Sequence, residues 1–230
     1  MSLFFKQLIF PLLFCLLFFI SIFPQADAAI AKSSAFSGSD LGLKYNNNLY
    51  KSWIKYFTVR ERELFQDHLK NGERYYSLIR NIFVEYGLPK DLYYVGLIES
   101  GYKLRIKSRA SAVGPWQFIK ATGRRYGLRV GRGFDERMDI DKSTHAAAKY
   151  LKDLYEMFGS WELALCAYNK GENGMLRAIR RGKSRDYQVL ARKRLIPRET
   201  AQYISKIAAA RELVNNKRKY RFAFNFRMDR

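Results

Sequence analysis

Glu99 stands four residues after Val95 and seven after Leu92, so a helix through this stretch places its carboxylate on the face that carries apolar side chains inward. Leu97 and Ile98 crowd it further. Burial removes hydration from the charged form, and Ser100-Gly101 reads as the helix end, where the negative pole of the helix dipole disfavours an anion again. Both effects push the pKa upward. A carboxylic acid still protonated near neutral pH is what cleavage of a glycosidic bond needs to protonate the leaving oxygen. The same spacing also suits a glutamate paired with one of the many arginines. Tyr102 and Trp116, close by in sequence, offer large faces suited to sugar rings or to plain packing.

Helices must position these groups. Thr58-Val-Arg-Glu61 has the spacing of a capping box and predicts a helix to about Asn71-Gly72. Tyr75, Leu78, Ile79, Ile82, Phe83 and Tyr86 recur at three- and four-residue intervals before Gly87-Leu-Pro89, an amphipathic helix with its stop. Pro89, Pro115 and Pro197 each precede a helix-like pattern, where a missing amide hydrogen costs nothing. A further helix ends at Gly159, Ser160 can cap the next over Trp161 to about Asn169, and a long one runs from Glu199 to Val214. Tyr220, Phe222, Phe224, Phe226 and Met228 alternate with other residues, a strand period. The fold class expected is mainly α, with at most a short C-terminal strand.

Five motifs occur in order: Glu99-Ser100-Gly101-Tyr102, Gly114-Pro115-Trp116-Gln117-Phe118, Asp135-Glu136-Arg137-Met138-Asp139, Ala167-Tyr168-Asn169-Lys170-Gly171, and Pro197-Arg198-Glu199-Thr200 leading to Tyr203. Together, from about Leu88 to Ala210, they resemble the signature series of the lytic transglycosylase domain, a goose-lysozyme-like fold. Within it they look most like the branch typified by membrane-bound lytic murein transglycosylase D. The resemblance implies a lysozyme-like α-helical catalytic domain over 58–215. It would act on the β-1,4 bond between N-acetylmuramic acid and N-acetylglucosamine in peptidoglycan glycan strands and leave a 1,6-anhydro sugar. Glu99 would be the single catalytic carboxylate, acid first and base second, because an intramolecular nucleophile replaces the second carboxylate of most glycosidases.

By the same resemblance, Ser100 and Gln117 would contact the glutamate or the sugar, Tyr168 would hold Glu99 in position, and Asn169 would shape the turn and the cleft floor. Tyr203 matches the tyrosine of the last motif. Each has a plainer reading: Gln117 as an exposed helix residue, Tyr168 and Tyr203 as core aromatics, Asn169 as a helix end before Gly171. Four residues depart from the usual pattern: Pro115 and Trp116, Cys166, and Lys170. Lys170 would lower the pKa of Glu99 if close, and Cys166 suits a small apolar filler. A hydrolytic, lysozyme-like muramidase and a non-catalytic wall-binding module are the competing functions.

The ends and the charge bound the setting. Lys6, an apolar run from Leu8 to Phe23 and then Ala26-Asp27-Ala28 predict that residues 1–28 are a secretory signal, so the protein is expected to be exported to the periplasm or cell envelope. An uncleaved anchor is the rival, though the run falls short of the ~20 apolar residues of a span and Pro11 interrupts it. Residues 29–57, rich in serine and asparagine, read as an N-terminal tether or extension, and 216–230 as a basic, aromatic tail. The net charge is +21, and residues 171–230 hold 17 Lys+Arg against 5 Asp+Glu. For an exported chain this suits anionic envelope polymers or a membrane surface, or simply a solvated face, and no nucleic acid is expected. Asp139-x-Asp141-x-Ser143 lacks the glycine and glutamate of a calcium loop. His68 and His145, expected as surface helix residues, have no zinc spacing with Cys166, so neither metal nor cofactor is expected.

Overall fold

The computed structural model describes residues 41–224; the signal expected over 1–28 lies outside the described residues. Helix α1 (Asn47–Lys55) begins where Asn46 Oδ1 accepts the Leu49 amide at 3.0 Å. It runs through a π-helical turn (Tyr56–Arg60) into α2 (Arg62–Glu73), α3 (Tyr76–Glu85), a 3₁₀ turn (Lys90–Leu92) and α4 (Tyr93–Ser100). After an irregular stretch come α5 (Lys120–Arg125), the antiparallel pair β1 (Val130–Gly131) and β2 (Phe134–Asp135), and a 3₁₀ turn (Glu136–Met138). Then follow α6 (Ile140–Phe158), α7 (Trp161–Lys170), α8 (Glu172–Gly182), α9 (Tyr187–Arg192), α10 (Arg198–Asn215) and the single turn α11 (Lys217–Tyr220). The mainly helical fold is as expected.

α4 and α10 form the middle of the core. Leu92, Tyr93, Val95 and Leu97 are fully buried, as are Ile204, Ile207, Ala209 and Leu213 on α10, and the two helices pack on each other. α10 also carries α1 on one side and α7 on another, and α7 lies along α6. From residue 41 the segment expected as a tether or extension is packed on the core, because Trp53, Ile54 and Phe57 give it an apolar side. The capping box at Thr58 does not form. Helix already precedes it, and the Thr58 hydroxyl donates backward to the Ile54 carbonyl at 2.8 Å.

Among the described residues the C-terminal alternation forms no strand, and Phe226 and Met228 lie outside them. Phe222 and Phe224 are both buried, so the alternation is real, but the backbone between them is paired by a side chain. Gln66 takes the Ala223 amide at 3.0 Å and donates to its carbonyl at 2.6 Å, as a neighbouring strand would. The strands that do form, with Val130 facing Asp135 and Gly131 facing Phe134, are too short to leave a pattern in sequence.

Pro115 lies inside a tight turn and does not start a helix. Val113 and Phe118 bridge across it, and the Gln117 amide donates to the Gly114 carbonyl at 3.1 Å. Arg137 braces this turn from below: its guanidinium pairs with Asp135 and donates to the carbonyls of Phe118 at 3.0 Å and Ser111 at 3.3 Å. Gly114 sits directly on the Arg137 backbone, with φ +82° and space so tight that a Cβ would stand 1.9 Å from the Arg137 carbonyl oxygen.

Candidate active site

Helix α4 carries Glu99 to the surface at its last turn. Gly101 ends the helix in the left-handed conformation, φ +58°, and its amide closes on the Leu97 carbonyl at 3.0 Å. Of the eight residues in α4, Glu99 alone is not fully buried. Under the end of the helix lies His68, so close that a Cβ on Gly101 would meet its ring at 2.1 Å. His68 is thus not the surface residue expected of it, and burial pushes its pKa down to about 4.

α10 faces Glu99 with three polar side chains. The Tyr203 hydroxyl donates to Glu99 Oε1 at 2.5 Å. Lys206 follows one turn later, half-buried, with its ammonium 5.1 Å from the centre of the Trp53 ring. Glu199 lies one turn before and is exposed. A cleft of about 570 Å³ opens here, lined by Ile98, Glu99, Asn169, Glu199, Tyr203 and Lys206, with Trp53 of α1 among the other residues. Asn169, at the end of α7, accepts the Thr200 hydroxyl at 2.7 Å and so ties α7 to the first turn of α10.

Burial raises the Glu99 pKa above the usual carboxylate range. The Tyr203 hydrogen bond and the Lys206 charge oppose this, and the Glu199 charge adds a smaller push upward. Lys206 is itself lowered by burial and held up by Glu99 and Glu199. The lysine facing the acid is therefore Lys206 and not Lys170, whose stem lies against Gly174.

Three of the residues expected at the site line this cleft: Glu99, Asn169 and Tyr203. The others form its backing. Trp116 is wholly buried, its indole donating to Thr144 Oγ1 at 2.9 Å, and Tyr102 is buried with its hydroxyl on the Tyr93 carbonyl at 2.5 Å. Neither presents a face to a sugar, because their rings pack edge to face on each other in the core. Ser100, also buried, donates to the Pro115 carbonyl at 2.8 Å. The Tyr168 hydroxyl donates to the Trp116 carbonyl at 2.6 Å, so Tyr203 and not Tyr168 is the tyrosine that holds Glu99. Gln117 is no helix residue; it bonds its own turn through the Gly114 carbonyl at 2.8 Å. Cys166 is fully buried, its thiol pushed up to about 12 by burial.

Sequence reasoning missed Trp53, Lys206 and a cleft position for Glu199. Glu199, Tyr203 and Lys206 recur at four and then three residues, a helical face that could have been read from Tyr203. Trp53 had no such signal.

Residues 79–191 match the transglycosylase SLT domain. The chain belongs to this family. It is 34% identical over 193 residues to the membrane-bound lytic murein transglycosylase D of Escherichia coli K12, covering 81% of this chain and 41% of that protein. It is 39% identical over 94 residues to the peptidoglycan transglycosylase gp16 of Escherichia phage T7, covering 38% of this chain and 7% of that one. Among solved structures, an inactive mutant of the lytic transglycosylase Slt from Pseudomonas aeruginosa superposes with a TM-score of 0.50 at 18% identity, over 62% of this chain and 24% of that one. That likeness is one of fold. The chain thus spans about two fifths of the curated transglycosylase D it matches. The SLT domain contains Glu99 and Asn169, while Trp53, Tyr203 and Lys206 reach the cleft from beyond both ends of the matched region.

Proposed function

We propose that the protein is a peptidoglycan lytic transglycosylase, exported to the cell envelope, with Glu99 as its acid and base. The observation that carries this reading is a carboxyl held above its usual pKa by burial, hydrogen-bonded by Tyr203 and open to a cleft. Protonated Glu99 gives its proton to the oxygen bridging N-acetylmuramic acid and N-acetylglucosamine, and the bond from that oxygen to the muramic C1 breaks. The carboxylate left behind then takes the proton of the muramic 6-hydroxyl, whose oxygen closes onto C1 to give the 1,6-anhydro ring. No water is consumed, and Glu99 ends as it began. Such a residue must be tolerable in both states: burial favours the acid, while Tyr203 and Lys206 favour the carboxylate formed midway.

Glu199 supports a second reading, hydrolysis. It supplies a second carboxylate in the same cleft, the group that activates water in inverting glycosidases and attacks the sugar in retaining ones. Mass spectrometry of fragments released from purified peptidoglycan separates the two. Anhydro ends, lost in Glu99→Gln, support the transglycosylase; reducing ends overturn it in favour of hydrolysis, and no release by either protein favours a binding module. The exposed arginines of α8, Arg177, Arg180 and Arg181, suit anionic envelope polymers or lipid headgroups, and no nucleic acid or metal enters this reading. Among the described residues no helix is long and apolar enough to cross a membrane, and no group of side chains could hold a metal ion.

A further inference from the structure

A second chamber of about 630 Å³ adjoins the cleft that holds Glu99, and the two share Trp53, Arg198 and Gln202 in their walls. The second is lined also by Leu49, Ser52, Lys55, Tyr56 and Arg60. Among the described residues no carboxylate lines it, in contrast to the first, which holds both Glu99 and Glu199. Lys55, Arg60 and Arg198 are exposed, and none of them is in an ion pair among the described residues. Trp53 lines both chambers, its ring 5.1 Å from the Lys206 ammonium and edge to face with Tyr56 at 5.1 Å. Most of this wall comes from residues 49–60, outside the matched SLT region.

We infer that the second chamber is a binding site for the carboxylate-bearing peptide stem of the same glycan, with Lys55, Arg60 and Arg198 as its cationic contacts and Trp53 as the partition between sugar and peptide. The inference rests on the peptidoglycan reading of the cleft. Its chemistry follows from charge and position. A muramic residue carries its peptide on a lactyl group projecting from the ring, so a glycan lying against Glu99 must send that peptide into an adjoining space. Three cations in a concave wall, in no ion pair among the described residues, suit its free carboxylates, and arginine does so with paired donors. Attraction at exposed cations is modest for each contact and screened by salt, so the site selects substrates by summed charge.

Binding is measured in the full chain carrying Glu99→Gln, which removes turnover, against three probes: stem-bearing glycan oligomers, the same oligomers stripped of peptide, and a free stem tetrapeptide containing D-glutamate and diaminopimelate. Adding Lys55→Glu with Arg60→Glu is expected to weaken the stem-bearing oligomers and the tetrapeptide by about tenfold while changing the stripped glycan by less than about twofold. Raising salt should weaken the first two in the unsubstituted wall in the same way. Equal losses on stripped and stem-bearing glycan, or no loss on either, overturn the inference. So does tripolyphosphate competing as well as the tetrapeptide, which would make the wall a general anion surface. If the tetrapeptide binds and neither glycan does, the peptidoglycan reading of the cleft falls and the stem site stands; if none of the three binds, both fall.

Discussion

The Tyr203 hydroxyl donates to Glu99 Oε1 at 2.5 Å across 104 residues of sequence, joining the end of α4 to the first turns of α10. Tyr203 is buried, and burial and the Glu99 charge raise its own pKa far above the usual value. It therefore remains a donor at any working pH. The bond favours the charged form of Glu99, while burial favours the neutral one.

Replacing Tyr203 with Phe keeps the ring and removes that donor. Turnover is expected to fall roughly tenfold to a hundredfold, the range for a hydrogen bond to a charged group. The Glu99 pKa should rise, so the pH at which activity is lost on the alkaline side moves upward even as the maximum drops. A pH–rate profile of the variant checks both; a lower rate with an unmoved limb would mean that Tyr203 serves only the packing.

Glu99→Gln should remove anhydro-product release by at least about a hundredfold while leaving the thermal midpoint close to that of the unmodified chain. Half-buried at a cleft, Glu99 packs against little that glutamine cannot satisfy.

Lys206→Met and Glu199→Gln should move the Glu99 pKa in opposite directions. Loss of the Lys206 cation raises it and extends activity to higher pH; loss of the Glu199 anion lowers it by a smaller amount. Profiles for the two variants that shift the same way would show that these charges do not act on Glu99.

His68 makes stability depend on pH. Its pKa falls from 6.5 unfolded to about 4 folded, so the unfolded chain takes a proton that the folded chain refuses. The stabilisation is complete above the unfolded value and is lost as pH falls from about 6.5 towards 4. Allowing for partial exposure, about 2 kcal/mol is involved. Thermal midpoints between pH 7 and 4 should decline less steeply in His68→Gln than in the unmodified chain.

Gly114→Ala should destabilise by about 3 kcal/mol, since the new methyl group meets the Arg137 carbonyl oxygen and the backbone is left-handed. Denaturant unfolding measures it, and a loss under about 1 kcal/mol would show that the turn relaxes freely.

Helix periods, the helix starts after Pro89 and Pro197 and the glycine stops were legible from sequence because each is a local relation within one or two turns, whereas the turn at Pro115 and the place of Glu99 at a cleft, as the one α4 residue not fully buried, were not. Two features lay beyond the sequence for a physical reason: polar composition at 29–57 left tether or extension open and hid the apolar side of α1, and a period of two does not reveal that Gln66, a side chain, pairs the backbone at Ala223. The motifs named the right neighbourhoods, but they could not say which residues of each face the cleft. Ser100, Tyr102, Trp116 and Tyr168 turn their polar atoms to the carbonyls and hydroxyls behind the site, while Tyr203 reaches the acid.

By itself, then, the sequence determined a helical fold and the family resemblance, because these depend on short-range spacing and residue type. Tertiary structure alone decided which tyrosine holds Glu99, which lysine faces it, and that Trp53 walls the cleft. Those depend on how α1, α4 and α10 pack across long stretches of chain, where side-chain direction is set by the burial of all three helices together.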